Sequence, residues 1–148
     1  MATLAVLIRD RWLWAAWLAG PLVWLLLAVV LGAPGLMGGD QAVEAWIRYL
    51  PWLVLLAVVE EALFRGVLQG WLLRCWPGIL VIPGVSRANL VTSCIFVMAH
   101  LGAHGPLWAM AVFIPSLVFG FFRERHRRLA TPILLHVWHN AGYFLILG

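Results

Sequence analysis

A few side chains in this sequence combine reactive types with places inside apolar runs. Glu60 and Glu61 follow an unbroken apolar decade, and Arg65 stands four residues after Glu61. A charge at the centre of an apolar span costs roughly 2.5–3.5 kcal/mol on insertion scales, so each one needs a reason. On a helix, i,i+4 spacing stacks Glu61 and Arg65 on one face, where they neutralise each other. Glu60 points about 100° away from that face, as a titrating base facing a polar cavity would. The plainer reading is a boundary helix whose charges reach water. His100 closes the stretch Phe-Val-Met-Ala-His at 96–100. His104 follows at a spacing that suits a metal on one helical face, but Gly102, Gly105 and Pro106 end the helix there. His136, His139 and Asn140 form the third group. His136 and Asn140 share one face of the last apolar run, and polar side chains there need protein or water partners.

Three helices that each bring such residues argue for one shared site. A carboxylate and a histidine orient and deprotonate a water. A second histidine with an asparagine amide donates to a developing oxyanion. Together they make a kit for hydrolysing an amide. A serine or cysteine nucleophile is less well supported. Ser93 and Cys94 precede His100 by seven and six residues, spacings that imply no hydrogen bond, and there is no Gly-X-Ser-X-Gly motif.

The elements that must position these residues are membrane spans. Of 148 residues, 64% are hydrophobic and 11% charged, with a mean hydropathy of +0.97. A soluble body of this size has too much surface for its volume to hide so much apolar area. At about 20 residues per span, the chain has room for roughly five spans in an all-α, polytopic transmembrane helix bundle. The first runs from Trp12 to Leu31, behind Arg9, Asp10 and Arg11, and exceeds the core of a secretory signal. A glycine- and proline-rich loop at 33–40 and a short amphipathic piece from Glu44 to Tyr49 lead into the second, Leu50 to Leu73. Pro-Gly pairs at 77–78 and 83–84 break the chain. Ser86 is placed to cap a third helix carrying Asn89 to His100. The fourth span covers Leu107 to Phe122, and the fifth starts near Thr131–Pro132. This gives an N-terminal span and loop at 1–45 and a core at 46–148.

The net charge of +4 comes from arginine alone. The arginines stand at the ends of apolar runs, which speaks for topology and against nucleic acid. Arg9, Arg11, Arg74, Arg87 and the cluster at 123–128 fall on one face, with Arg48 opposite. That distribution predicts a multi-pass cell-membrane protein with a cytoplasmic N-terminus. The ten tryptophans suit the membrane boundary. Cys75 and Cys94 read as apolar fillers, too few for a disulfide framework.

Glu-Glu-Ala-Leu-Phe-Arg-Gly (60–66), Phe-X-X-X-His (96–100) and His-X-X-X-Asn (136–140) resemble, in order, the three motifs of the CPBP family. This family groups CAAX prenyl proteases of the type II kind with bacteriocin-processing enzymes. The stretches Ser-Leu-Val-Phe-Gly-Phe-Phe (116–122) and Leu-Ala-Thr-Pro-Ile-Leu-Leu-His (129–136) add to the likeness, which runs from Leu50 onward. The resemblance implies an intramembrane endopeptidase of glutamic type acting on a protein or peptide substrate. By motif match, Glu60 activates water with His100, and His136 with Asn140 forms the oxyanion site. Glu61, Arg65 and Phe96 take supporting positions. His104 and His139 fall outside the motifs. The expectation is a site without metal, with zinc as the alternative, since glutamate and two histidines are also a legitimate zinc set. A single span before the first motif, where relatives often carry more, points to peptide maturation or protein sorting rather than prenyl-protein processing. The rival reading is a non-enzymatic membrane protein: an ion or proton carrier using the same polar cluster, or an immunity protein. Carriers often show paired repeats, and none is visible. The oligomeric state is not legible.

Overall fold

A computed structural model describes residues 7–31, 40–102 and 105–147. Most of the expected 33–40 loop, and His104, lie outside them. In chain order come α1 (Arg11–Leu31), α2 (Asp40–Glu61), a π-helical segment (Ala62–Leu68), α3 (Gln69–Cys75), β1 (Leu80–Ile82), β2 (Val85–Ser86), α4 (Arg87–Leu101), α5 (Pro106–Ala111), α6 (Phe113–His126) and α7 (Ala130–Leu147). The expected all-α class holds, with one two-stranded hairpin added. Among the described residues, no helix is long and apolar enough to cross a membrane.

The described residues divide into two compact units, the first within Val59–Ile133. Its centre is α4 laid along α6, with the π segment and α3 against α4. Ser86 caps α4 as expected, its hydroxyl accepting from the Asn89 N–H at 3.0 Å. Between α3 and α4 the second Pro-Gly pair forms a hairpin turn rather than a plain break. Ile82 and Val85 pair across it, and Gly84 takes φ +84, the left-handed value a proline–glycine turn demands of its second central residue. The expected fourth span is two helices that part at Val112. Pro115 explains the break: it offers no N–H to the carbonyl four residues back, and its ring crowds that carbonyl. Cys75 and Cys94 are exposed rather than packed as fillers.

The second unit comprises the described residues before Val59 and those from Leu134 onward. Asp10 caps α1, accepting the Trp12 N–H at 3.0 Å. Trp138 packs against both Trp17 and Trp24. The Trp138 ring lies 4.8 Å from Trp17 and 5.0 Å from Trp24, and its Nε1 donates to the Trp17 carbonyl at 3.0 Å. A half-buried indole keeps its N–H satisfied in this way. The amphipathic piece and the start of the second run are one helix, α2, which retains Pro51 in its interior.

Candidate active site

Glu61 and Arg65 are fully buried, and Arg65 Nη1 donates to Glu61 Oε1 at 3.0 Å, the i,i+4 pair expected from their spacing. The other arm of the guanidinium, Nη2, donates to the Ser116 carbonyl at 3.0 Å and its Oγ at 2.7 Å. The Ser116 hydroxyl donates to Ser93 Oγ at 2.9 Å, and that hydroxyl to Asn89 Oδ1 at 3.3 Å. Asn89 Nδ2 returns to α6 through the Leu117 carbonyl at 2.9 Å. A buried charge survives only when it is paired and hydrogen-bonded, and this chain of donors does both. The Phe96 ring lies under the guanidinium at 4.6 Å and the Phe119 ring at 5.5 Å, so the cation also faces two π surfaces. The Ser93 hydroxyl thus accepts from Ser116 and donates to Asn89.

The backbone beneath this pair is π-helical. The Gln69 N–H bonds the Phe64 carbonyl, five residues back, and the wide turns span Ala62–Leu68. Such turns cluster at functional sites because they re-aim side chains that an α-helix would space evenly. The Arg65 carbonyl also accepts from Arg123 Nε at 3.2 Å, tying the segment to α6.

Glu60 stands at the last turn of α2, half-buried. His100 stands at the last turn of α4, also half-buried, its ring 4.4 Å from Phe96. Its Nδ1 lies 2.8 Å from the Phe96 carbonyl. A carbonyl only accepts, so Nδ1 carries the proton and Nε2 keeps the lone pair when the ring is neutral.

The two segments run antiparallel, by three contacts. Gln69 and Ser86 both donate to Glu124 Oε1, at 2.7 and 2.6 Å. Phe64 meets Phe96 edge-on at 4.9 Å. One further turn along each helix, away from the hairpin, is Glu60 on one and His100 on the other. Both therefore stand at the same end of the first unit.

His136, His139 and Asn140 follow one another along α7 in the second unit. His136 is buried at 5% exposure, while His139 and Asn140 are half-buried. The Trp24 ring lies 6.3 Å from His139, edge-on. Among the described residues, no three His, Cys, Asp or Glu side chains are grouped as a metal would need.

Sequence reasoning missed Ser116, Asn89, Gln69 and Glu124. Their common signal was available: each is a polar residue on a largely apolar helix. Gly120 belongs with them, because a Cβ there would overlap the Asn89 side chain. Its absence lets α6 come close enough to α4 for Leu117 to accept from Asn89.

No curated protein and no solved structure matches the chain. A family model does, that of the Rce1-like type II CAAX prenyl endopeptidases, over residues 42–142. That stretch holds the buried Glu61–Arg65 pair, the Phe96–His100 turn and the His136–Asn140 face, and with more than half its length matched the chain belongs to this Rce1-like family of membrane-embedded proteases.

Proposed function

We propose that the protein is an intramembrane endopeptidase that cleaves a peptide bond near the membrane in a protein or peptide precursor, by water activated between Glu60 and His100. The observation that carries this is the His100 ring. Its Nδ1 is committed to the Phe96 carbonyl, its Nε2 is left as the acceptor, and it stands at the same end of its unit as the Glu60 turn. His100 Nε2 orients a water and the Glu60 carboxylate takes its proton as the oxygen attacks the scissile carbonyl carbon. The carbonyl electron pair moves to its oxygen, and the His136 ring and Asn140 amide donate to that oxyanion. Glu60 then delivers the proton to the departing amine nitrogen, leaving an acid and an amine. The roles of His136 and Asn140 rest on the His-X-X-X-Asn motif. Glu61 and Arg65 do not touch substrate; they fix the π turn that follows Glu60. The reaction uses no metal.

The bilayer is the setting. Large apolar side chains stay exposed on α1, α2 and the π segment, among them Leu22, Leu26, Trp52, Leu55, Leu63 and Val67, which water does not tolerate over such an area. Five crossings are proposed, and since none of the described helices is long and apolar enough to cross alone, they are built from runs rather than single helices, with α2 through α3 as the second and α5 with α6 as the fourth. The second and fourth are composite runs, divided by the π segment and by the break at Val112. The arginine distribution puts the N-terminus in the cytoplasm. The test is the purified full chain in proteoliposomes, mixed with candidate precursors and read by mass spectrometry, with and without a chelator. A defined internal cleavage that persists in chelator supports the reading. Loss in chelator, restored by zinc alone, would recast Glu60, His100 and His136 as ligands.

A further inference from the structure

The hairpin between α3 and α4 carries an apolar surface that the described residues do not cover. Ile79, Leu80, Val81 and Ile82 are 44%, 61%, 50% and 58% exposed. Side chains along a strand alternate between faces, so exposure of all four in a row leaves both faces of β1 bare, while β2 is covered at Ser86. Around its base the chemistry changes sign. Arg74 lies in the last turn of α3 and Arg87 opens α4, and both are exposed. The Arg87 guanidinium lies over the Trp76 ring at 4.7 Å. The C-terminal turn of α6 is held to the same base, through Glu124 on the Ser86 hydroxyl and the Phe121 ring 3.7 Å from where a Gly84 Cβ would stand. That turn adds Arg125 and then Arg127, both exposed. Glu124 is the one acidic residue anywhere from 62 to 148, and it is occupied by Gln69 and Ser86.

We infer that this hairpin with its arginine collar is a contact for anionic phospholipid. The apolar tip enters the boundary between headgroups and acyl chains, and the guanidinium groups above it meet lipid phosphates. An apolar tip under a basic rim is the layering of such an interface, and arginine matches phosphate by its planar fork of donors. The ribbon goes no deeper, because a two-stranded sheet gives its outer edges no ladder partner and hydrocarbon offers none. This goes beyond the protease reading and stands without it, since His100 lies at the far end of α4 from the hairpin.

The experiment uses the full chain with Cys75 and Cys94 replaced by serine and a spin label on a cysteine introduced by Val81→Cys. It is reconstituted in phosphatidylcholine vesicles with and without phosphatidylglycerol. The expected result is a label relaxed more by oxygen than by a water-soluble nickel complex. Spin-labelled phosphatidylglycerol should also associate in preference to phosphatidylcholine, and R74Q/R87Q/R127Q should lower that preference by up to about fivefold per arginine. Tryptophan fluorescence checks that each variant keeps its fold. A label reached mainly by nickel overturns the inference. So does a label shielded from both relaxants, which would mean a protein partner sits there, and so does a lipid preference unmoved by the triple substitution.

Discussion

Glu61→Gln isolates the buried pair from everything around it. Both partners are fully buried, and Gln offers a carbonyl oxygen where Glu61 Oε1 accepted from Arg65 at 3.0 Å. The hydrogen bond is therefore kept and the opposite charge is lost. Breaking a buried pair typically costs about 3–5 kcal/mol, and the retained acceptors, including both Ser116 oxygens, put this variant near the lower end. A loss of ~3 kcal/mol is about a hundredfold in the folding equilibrium, and at roughly 2–4 °C per kcal/mol it lowers Tm by about 6–12 °C. Intrinsic tryptophan fluorescence during a thermal ramp of detergent-solubilised protein reads it. The double variant Glu61→Leu/Arg65→Met separates charge from shape, because apolar replacement of a whole buried pair is often neutral or stabilising. It should melt within a few degrees of wild type and yet cleave poorly, since the π turn has lost its anchor to Ser116. A Glu61→Gln protein melting with wild type would refute the reasoning. A double variant with full activity would refute the positioning role.

Gly120→Ala drives a methyl into the Asn89 side chain and should cost about 1–3 kcal/mol, the usual range for overpacking; Gly142→Ala, which would collide with Trp24, is the matching probe in the second unit, and both are read by the same melt. Asn140→Ala should reduce single-turnover cleavage about 100–1,000-fold, the usual effect of one lost oxyanion donor, with substrate binding little changed. Asn140→Asp should be at least as damaging, because a carboxylate repels the forming oxyanion, whereas an ion carrier would tolerate it; near-normal cleavage by Asn140→Ala sinks the assignment.

What the sequence could and could not show divides along physical lines. The Glu61–Arg65 pair, the Ser86 cap and the start of α7 beside Pro132 all rest on contacts within four residues, and local spacing encodes those. The π segment has no such code. The sequence 61–69 reads as ordinary helix, and its wide turns are tied down from elsewhere, with Arg65 held by Ser116 and Gln69 by Glu124. The break at Val112 was encoded in Pro115 but masked by the apolar run around it. The hairpin was read only as a break at Pro83–Gly84, although the run Ile79–Ile82 before it is rich in the β-branched residues that favour a strand. The packing of Trp138 on Trp17 and Trp24 joins residues more than a hundred positions apart, which local spacing does not encode. The roles of Glu60, His100, His136 and Asn140 came from motif order, since chemistry at a distance leaves no trace in local periodicity.

Glu60→Gln is the most direct measure of the account. The substitution keeps size and hydrogen bonding at a half-buried position and removes only the capacity to take a proton from water. Wild type and variant, reconstituted side by side in proteoliposomes and shown to melt alike, are given the same precursor under single-turnover conditions. The variant should bind the precursor and leave it uncut, with a loss of at least the 100-fold expected of a missing general base. Cleavage by Glu60→Gln at the wild-type rate would contradict it.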